Sequence, residues 1–111
     1  MVRFCKNPYI SDGLEGKMGR IKWKVAAGIG LTGVYFISLS SNSNDVFDIY
    51  SGVMLKLRQM RKSDMVIIGI AHNAEDANML VAKMIEDCVS NTGSIENMRR
   101  YFASYAGIDC S

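Results

Sequence analysis

A continuous apolar run at residues 65–71, MVIIGIA, constrains the fold of this chain more than any other feature. Polar residues bound the run on both sides, and such a run is typical of a strand that is covered on both faces. Asn73, which follows closely, is a good helix N-cap residue, and Gly93 is a good helix stop. Apolar residues recur at helical spacing between them, so the sequence predicts a buried central strand followed by an amphipathic helix.

A second strand is predicted at residues 34–39 (VYFISL), which are rich in β-branched and aromatic residues and follow a glycine. Apolar residues then recur at helical spacing over residues 45–61, which predicts an amphipathic helix between the two strands. A helical connection between two strands of one sheet implies that the strands are parallel. In the alternative interpretation, residues 45–50 form a strand that folds back on the first across a turn at residues 41–44.

The two ends of the chain carry weaker signals. Two turn signals, N-P and D-G, predict an irregular lead-in over residues 1–13. Residues 14–27 fit either an edge strand or a helix closed by Gly28, and the helical spacing favours the helix. A last helix is predicted from residue 94 to about residue 105. Its predicted buried residues are Ile95, Met98 and Phe102.

Together these elements predict an α/β protein that forms a single domain over residues 1–111, the usual size of one domain. We expect a small two- or three-layer domain with a short, mainly parallel sheet. Its β-α-β-α-α core would carry an extra N-terminal helix or strand. A short sheet has exposed edges, which proteins cover, charge or pair with another subunit, so we expect a homo-oligomer.

The composition argues against several classes of partner and location. The formal net charge of +2 is far from the concentrated basic charge of nucleic-acid binders, so nucleic acid is not an expected partner. The apolar stretch at residues 25–39 is shorter than a membrane-spanning helix and glycines interrupt it, so no membrane insertion or export is expected. Three cysteines without C-x-x-C spacing indicate free thiols and a reducing, cytoplasmic location.

A candidate ligand site lies where the predicted strands end. Ligands of open parallel α/β sheets bind beyond the carboxyl ends of strands, next to helix N-termini. Two loops meet that condition, at residues 40–44 and 71–73, and a glycine in the preceding strand allows close approach. The candidate ligand-binding residues are Ser40, Ser41, Asn42, Gly69, His72 and Asn73. None of them is assigned as catalytic.

Neighbouring carboxylates argue against an anionic ligand at these loops. Asp45, Asp48, Glu75 and Asp76 fall in the first turns of the two predicted helices, where they complement the helix dipole and repel phosphate. The glycine-rich phosphate-binding motifs are absent from the sequence. A single histidine and three scattered cysteines give no zinc-type spacing, so neither a metal nor a cofactor is expected.

Three stretches of the chain carry a resemblance to known proteins. They are GVYFISLSSNSNDVFDIYSG, RKSDMVIIGIAHNAEDANMLVAKMIED and NTGSIENMRRYF, and they cover roughly residues 33–102. In these stretches the chain resembles a group of small, uncharacterised bacterial proteins. The resemblance implies a compact intracellular α/β domain of bacterial type, and it carries no catalytic residues to transfer.

These observations predict a non-enzymatic intracellular interaction or accessory protein that self-associates through a sheet edge or a helical face. The alternative is a small-molecule-binding domain, or a small enzyme, that uses the loops around residues 40–44 and His72. The alternative requires these two loops to lie side by side.

Overall fold

The computed structural model describes residues 3–11, 13–27, 29, 31–39, 47–56, 66–96 and 98–105. Four strands and three α-helices lie within them. They are β1 (Arg3–Ile10), α1 (Met18–Ala26), β2 (Tyr35–Leu39), β3 (Phe47–Ser51), β4 (Val66–Ala71), α2 (Ala74–Thr92) and α3 (Met98–Tyr105). Short 3-10 helices precede α1 at Glu15–Lys17 and follow β3 at Gly52–Lys56.

The four strands form one mixed sheet in the order β1-β4-β2-β3. β4 is parallel to β1 but antiparallel to β2, and β2 is antiparallel to β3. The prediction of a mainly parallel sheet is therefore wrong. That prediction assumes a direct helical connection from β2 to β4, whereas β3 follows β2 in the sequence, pairs with it and reverses the direction of the chain. The central position of β4 is confirmed, since all six of its residues are buried.

β3 replaces the first part of the helix that was predicted over residues 45–61, so the hairpin interpretation is the correct one for residues 47–51. All five residues of β3 pair with β2, from Phe47 opposite Leu39 to Ser51 opposite Tyr35. Phe47 packs toward α2 and α3, whereas Tyr50 packs toward α1. This alternation of faces is the two-residue period of a strand. Residues 45–46 and 57–61 lie outside the described residues.

β1 replaces most of the irregular lead-in that was predicted over residues 1–13. Its pairing with β4 runs through Phe4 opposite Ile67 and Tyr9 opposite Gly69, so four residues of β1 bulge opposite one residue of β4. Pro8, which has no N–H to donate, lies in this bulge. The N-P signal thus marks a bulge within a strand.

Helices cover both faces of the sheet, so the α/β class is confirmed and, of the two predicted alternatives, the described residues form three layers. Ile21 and Val25 of α1 pack on one face, where the sheet contributes Phe36, Ile67 and Ile70. On the other face α2 and α3 pack over Ile37, Val66 and Ile68. The residues that these two helices bury there are Ala77, Met84, Cys88 and Phe102.

The predicted ends of α2 are confirmed. Asn73 is its N-cap, and the side-chain Oδ1 accepts a hydrogen bond of 2.8 Å from the backbone N–H of Asp76. Gly93 ends the helix with a φ of +78°. α3 begins at Met98, later than predicted, and Ile95 is 59% exposed instead of buried. None of the helices in the described segments combines the length and apolar content that crossing a membrane requires.

Candidate functional site

The structure describes three of the six predicted site residues. Ser40, Ser41 and Asn42 lie outside the described residues. Gly69 is buried in the middle of β4, and a Cβ there would lie 2.9 Å from Ile37 Cδ1, so the glycine makes room for a neighbouring side chain of the core. His72 and Asn73 follow β4 directly, at the start of α2.

The two predicted loops leave the sheet at opposite ends. In the antiparallel pairing of β2 and β4, Tyr35 lies opposite Ala71 and Ser38 lies opposite Ile67. The chain therefore leaves β2 after Leu39 at the end of the sheet where β4 begins, far from His72 along the strands. The expectation that both loops share one end rested on a parallel pairing, and the antiparallel pairing removes that premise.

β1 is the strand that ends beside His72. Because β1 and β4 are parallel, their carboxyl ends meet at one edge of the sheet. Ser11 links them: its backbone N–H donates to the Ile70 carbonyl at 2.9 Å, and its Oγ accepts from the His72 N–H at 3.2 Å. Gly13 completes what we call the His72 corner, which consists of Ser11, Gly13, His72 and Asn73.

Gly13 packs closely against the imidazole of His72. Its φ is +89°, and a Cβ at this position would lie 3.1 Å from His72 Nε2. Sequence reasoning missed Ser11 and Gly13 because their segment was interpreted as an irregular lead-in. The D-G pair was the available signal, and it became informative only once β1 was known to be a strand.

A groove lies between the end of β1 and one face of α2, adjoining the His72 corner through Ser11. Its volume is about 650 Å³ and it is open to solvent. We call it the α2 groove, and its lining residues are Ile10, Ser11, Asp76, Met79, Leu80, Ala82, Lys83, Glu86 and Asp87. Asp87 is held in place, since its Oδ2 accepts a hydrogen bond of 2.6 Å from the Tyr9 hydroxyl. The groove thus combines apolar side chains with three carboxylates and a single lysine.

The outer face of α1 is basic, in contrast to the acidic α2 groove. Ile21 and Val25 bury one side of the helix, while Trp23 on the other side is 63% exposed. Arg20 and Lys22 are exposed as well, and Lys22 Nζ lies 5.7 Å from the centre of the Phe4 ring. An exposed tryptophan among cations is typical of a binding surface, because tryptophan and arginine are enriched at protein interfaces.

Charge differs between α1 and α2, which lie in different layers. Residues 15–27 contain four basic residues and one glutamate, whereas α2 contains four acidic residues and one lysine. These layers lie on opposite faces of the sheet. The surface of α1 is therefore mainly basic and that of α2 mainly acidic, while α3, in the same layer as α2, contains Arg99 and Arg100.

The outer edge of the sheet at β3 presents apolar side chains. Ile49 is 39% exposed, and Val53 and Met54 in the following 3-10 helix are 41% and 37% exposed. The Tyr50 hydroxyl donates a hydrogen bond of 3.1 Å to Asp48 Oδ2. Partial burial raises the pKa of Tyr50 above its usual 10.0, the hydrogen bond and charge of Asp48 raise it further, and Ser38 opposes the shift.

The described residues form four surface features: the His72 corner, the α2 groove, the outer face of α1 and the apolar edge at β3. No group of three His, Cys, Asp or Glu side chains among them could hold a metal ion. Comparisons of the chain with protein-family models, curated proteins and solved structures find no match. The resemblance to small bacterial proteins therefore stays a prediction.

Proposed function

We propose that the protein is a non-enzymatic interaction module that forms a homodimer by antiparallel pairing of β3 with β3 of a second copy. The observation that carries this proposal is the regular, partly apolar edge strand β3. In the part of the chain that the structure describes, β3 pairs with β2 on one side and with no strand on the other. Cys5 and Cys88 are buried, and three cysteines without C-x-x-C spacing support a cytoplasmic location for the module.

The two edges of the sheet differ in the way that the proposal requires. β1 carries a bulge and Pro8, features that protect an edge from pairing with another chain. β3 has neither, and its only charged side chain, Asp48, is bound to Tyr50 within the same strand. β3 is therefore the edge that is open to pairing with a second chain.

β3 is also suited to pairing with itself. A two-fold axis at Ile49 would place this residue opposite Ile49 of the second copy. Asp48 would then lie opposite Tyr50 of the second copy, so no like charges would face each other across the pair. The same arrangement extends a four-stranded sheet to an eight-stranded one and leaves the core of each copy unchanged.

Sedimentation velocity over a wide range of protein concentration tests the proposal. The comparison is made in the Trp23→Ala background, which removes the exposed tryptophan of α1 as a second site of self-association. In this background we expect a dimer with isoleucine at position 49 and a monomer for Ile49→Lys, because two lysines would face each other on the axis. Ile95→Lys is the matched control: Ile95 is an exposed isoleucine outside the strands, and this variant should remain dimeric. A Trp23→Ala protein that is monomeric, or an Ile49→Lys variant that still dimerises in that background, would overturn the proposal.

A second candidate function is the binding of a small ligand at the His72 corner. It is favoured by the position of Ser11 and His72 at the carboxyl ends of the parallel strands β1 and β4. Native mass spectrometry of freshly purified protein tests it, since a retained ligand adds mass to each subunit. Ser11→Ala should lose that mass and keep the dimer, whereas bare subunits in every preparation would count against this candidate.

A further inference from the structure

The basic face of α1 and the acidic α2 groove cannot meet within one molecule. They belong to layers that lie on opposite faces of the sheet. Between two copies, however, the surfaces are complementary in charge, and one of them protrudes where the other is concave. Trp23 stands on the protruding face, and Met79, which is 66% exposed, lies in the groove.

We propose that α1 of one copy docks in the α2 groove of a second copy. Trp23 enters the groove and contacts Met79 and Leu80, while Arg20 and Lys24 face the carboxylates. A volume of about 650 Å³ lies within the range of about 300–1,000 Å³ that is typical of binding clefts. Contact between a methionine sulfur and an aromatic ring is itself favourable.

The residues around Trp23 permit this close approach. Gly19, Ala26 and Ala27, three or four residues from Trp23 along α1, are small and exposed, and Arg20 is the only large side chain at that spacing. A tryptophan inserted in a pocket and surrounded by polar contacts is the usual composition of an interface hot spot.

The symmetry of this contact differs from that of the β3 pair. Each copy uses one surface to donate and a different surface to accept, so the contact is heterologous and repeats from copy to copy until a ring closes. It extends the self-association proposed above, but it does not depend on pairing at β3. Because charges meet at its rim, the contact should weaken as salt is added.

A mixing experiment tests the contact in the Ile49→Lys background, where β3 pairing is absent by design. The first variant carries Trp23→Ala and Arg20→Glu, which disable the α1 surface and leave the groove intact. The second carries Met79→Lys and Glu86→Lys, which disable the groove and leave α1 intact. All five changed residues are exposed, so both variants should fold, and circular dichroism checks this.

We expect each variant alone to sediment as a monomer and the equimolar mixture to form a heterodimer that grows no further. Trp23 is the only tryptophan, so the second variant alone carries the fluorophore. Its emission should shift to shorter wavelength when the first variant is added, and added salt should reverse the shift. The control protein carries Val89→Lys in the Ile49→Lys background instead of the two groove changes. It keeps both the α1 surface and the groove, so it should self-assemble without a partner.

Two results would overturn this inference. One is a mixture that stays monomeric with unshifted tryptophan emission. The other is a shift of that emission with anionic lipid vesicles but not with the first variant, which would assign α1 to a membrane surface. Either result leaves the β3 proposal intact, because that proposal is tested in the Trp23→Ala background, where the α1 contact is disabled.

Discussion

Gly13, which has no side chain, packs against the imidazole of His72. Gly13 has a φ of +89°, a left-handed conformation that L-residues with a Cβ rarely adopt. The site where its Cβ would stand is 3.1 Å from His72 Nε2, so any side chain would also push against the ring. Backbone conformation and packing both require glycine at this point of the His72 corner.

Gly13→Ala should therefore lower the free energy of unfolding by about 1–2 kcal/mol, the usual cost of a left-handed conformation. Gly16→Ala is the matched control, since that glycine lies in the exposed 3-10 helix and a Cβ there would meet no atom within 4 Å. The control should change stability by no more than about 0.5 kcal/mol. Urea unfolding followed by far-ultraviolet circular dichroism measures the stability of both variants. An equal loss of stability in the two would contradict a specific requirement for glycine at position 13.

Secondary structure elements differed in how well local sequence patterns predicted them. The signals for β4, for the cap of α2 at Asn73 and for its end at Gly93 are strong and local, and all three are confirmed. The segment that contains β3 and the 3-10 helix after it also fits helical spacing, because Ile49 and Val53 are four residues apart. The structure leaves both of these residues exposed, and the pairing with β2 decides the conformation. Such pairing joins distant segments and cannot be read from periodicity.

The candidate site was predictable only in part, for the same reason. His72 and Asn73 were expected at the end of a strand and the start of a helix, where they lie. Their neighbours Ser11 and Gly13 were not expected, because they come from the far end of the sequence. Only the parallel pairing of β1 with β4 brings them there.

Tyr50 reports on the strand conformation of β3. In a strand, residues two apart lie on the same face, which brings the Tyr50 hydroxyl to Asp48, whereas a helix would point them in different directions. We expect Tyr50 to titrate above 10.0 and Asp48→Asn to lower its pKa, because the change removes a negative charge and a charged hydrogen-bond acceptor. Absorbance at alkaline pH, taken as the difference from Tyr50→Phe, measures this pKa.

The raised pKa of Tyr50 determines the direction in which stability changes with pH. The folded protein holds the Tyr50 proton more tightly than the unfolded chain does, so the contribution to stability is fully present below pH 10.0. It is lost as the pH rises through the pKa of the folded state. A Tyr50 that titrates at its usual value in the natural protein would contradict the contact with Asp48.

At the scale of the whole molecule, the layers are joined through a few large side chains. Phe102 of α3 is fully buried, and its ring centre lies 6.4 Å from that of Tyr9 in β1 and 5.1 Å from that of Phe47 in β3. These strands form opposite edges of the sheet. One residue near the end of the described chain thus contacts both edges, and its burial was predicted from the sequence although its partners were not.

Phe102→Ala should therefore destabilise the molecule as a whole, by about 3–5 kcal/mol, the usual cost of truncating a buried phenylalanine. Phe102→Leu keeps more of the volume and should cost less, which preserves a measurable folded state. Ile95→Ala, in the exposed turn before α3, should stay within about 0.5 kcal/mol. Because the ring contacts both edges, amide hydrogen exchange in Phe102→Leu should accelerate in β1 and in β3 alike. Acceleration at one edge only would mean that α3 stabilises that edge alone, and that the two edges of the sheet are held independently.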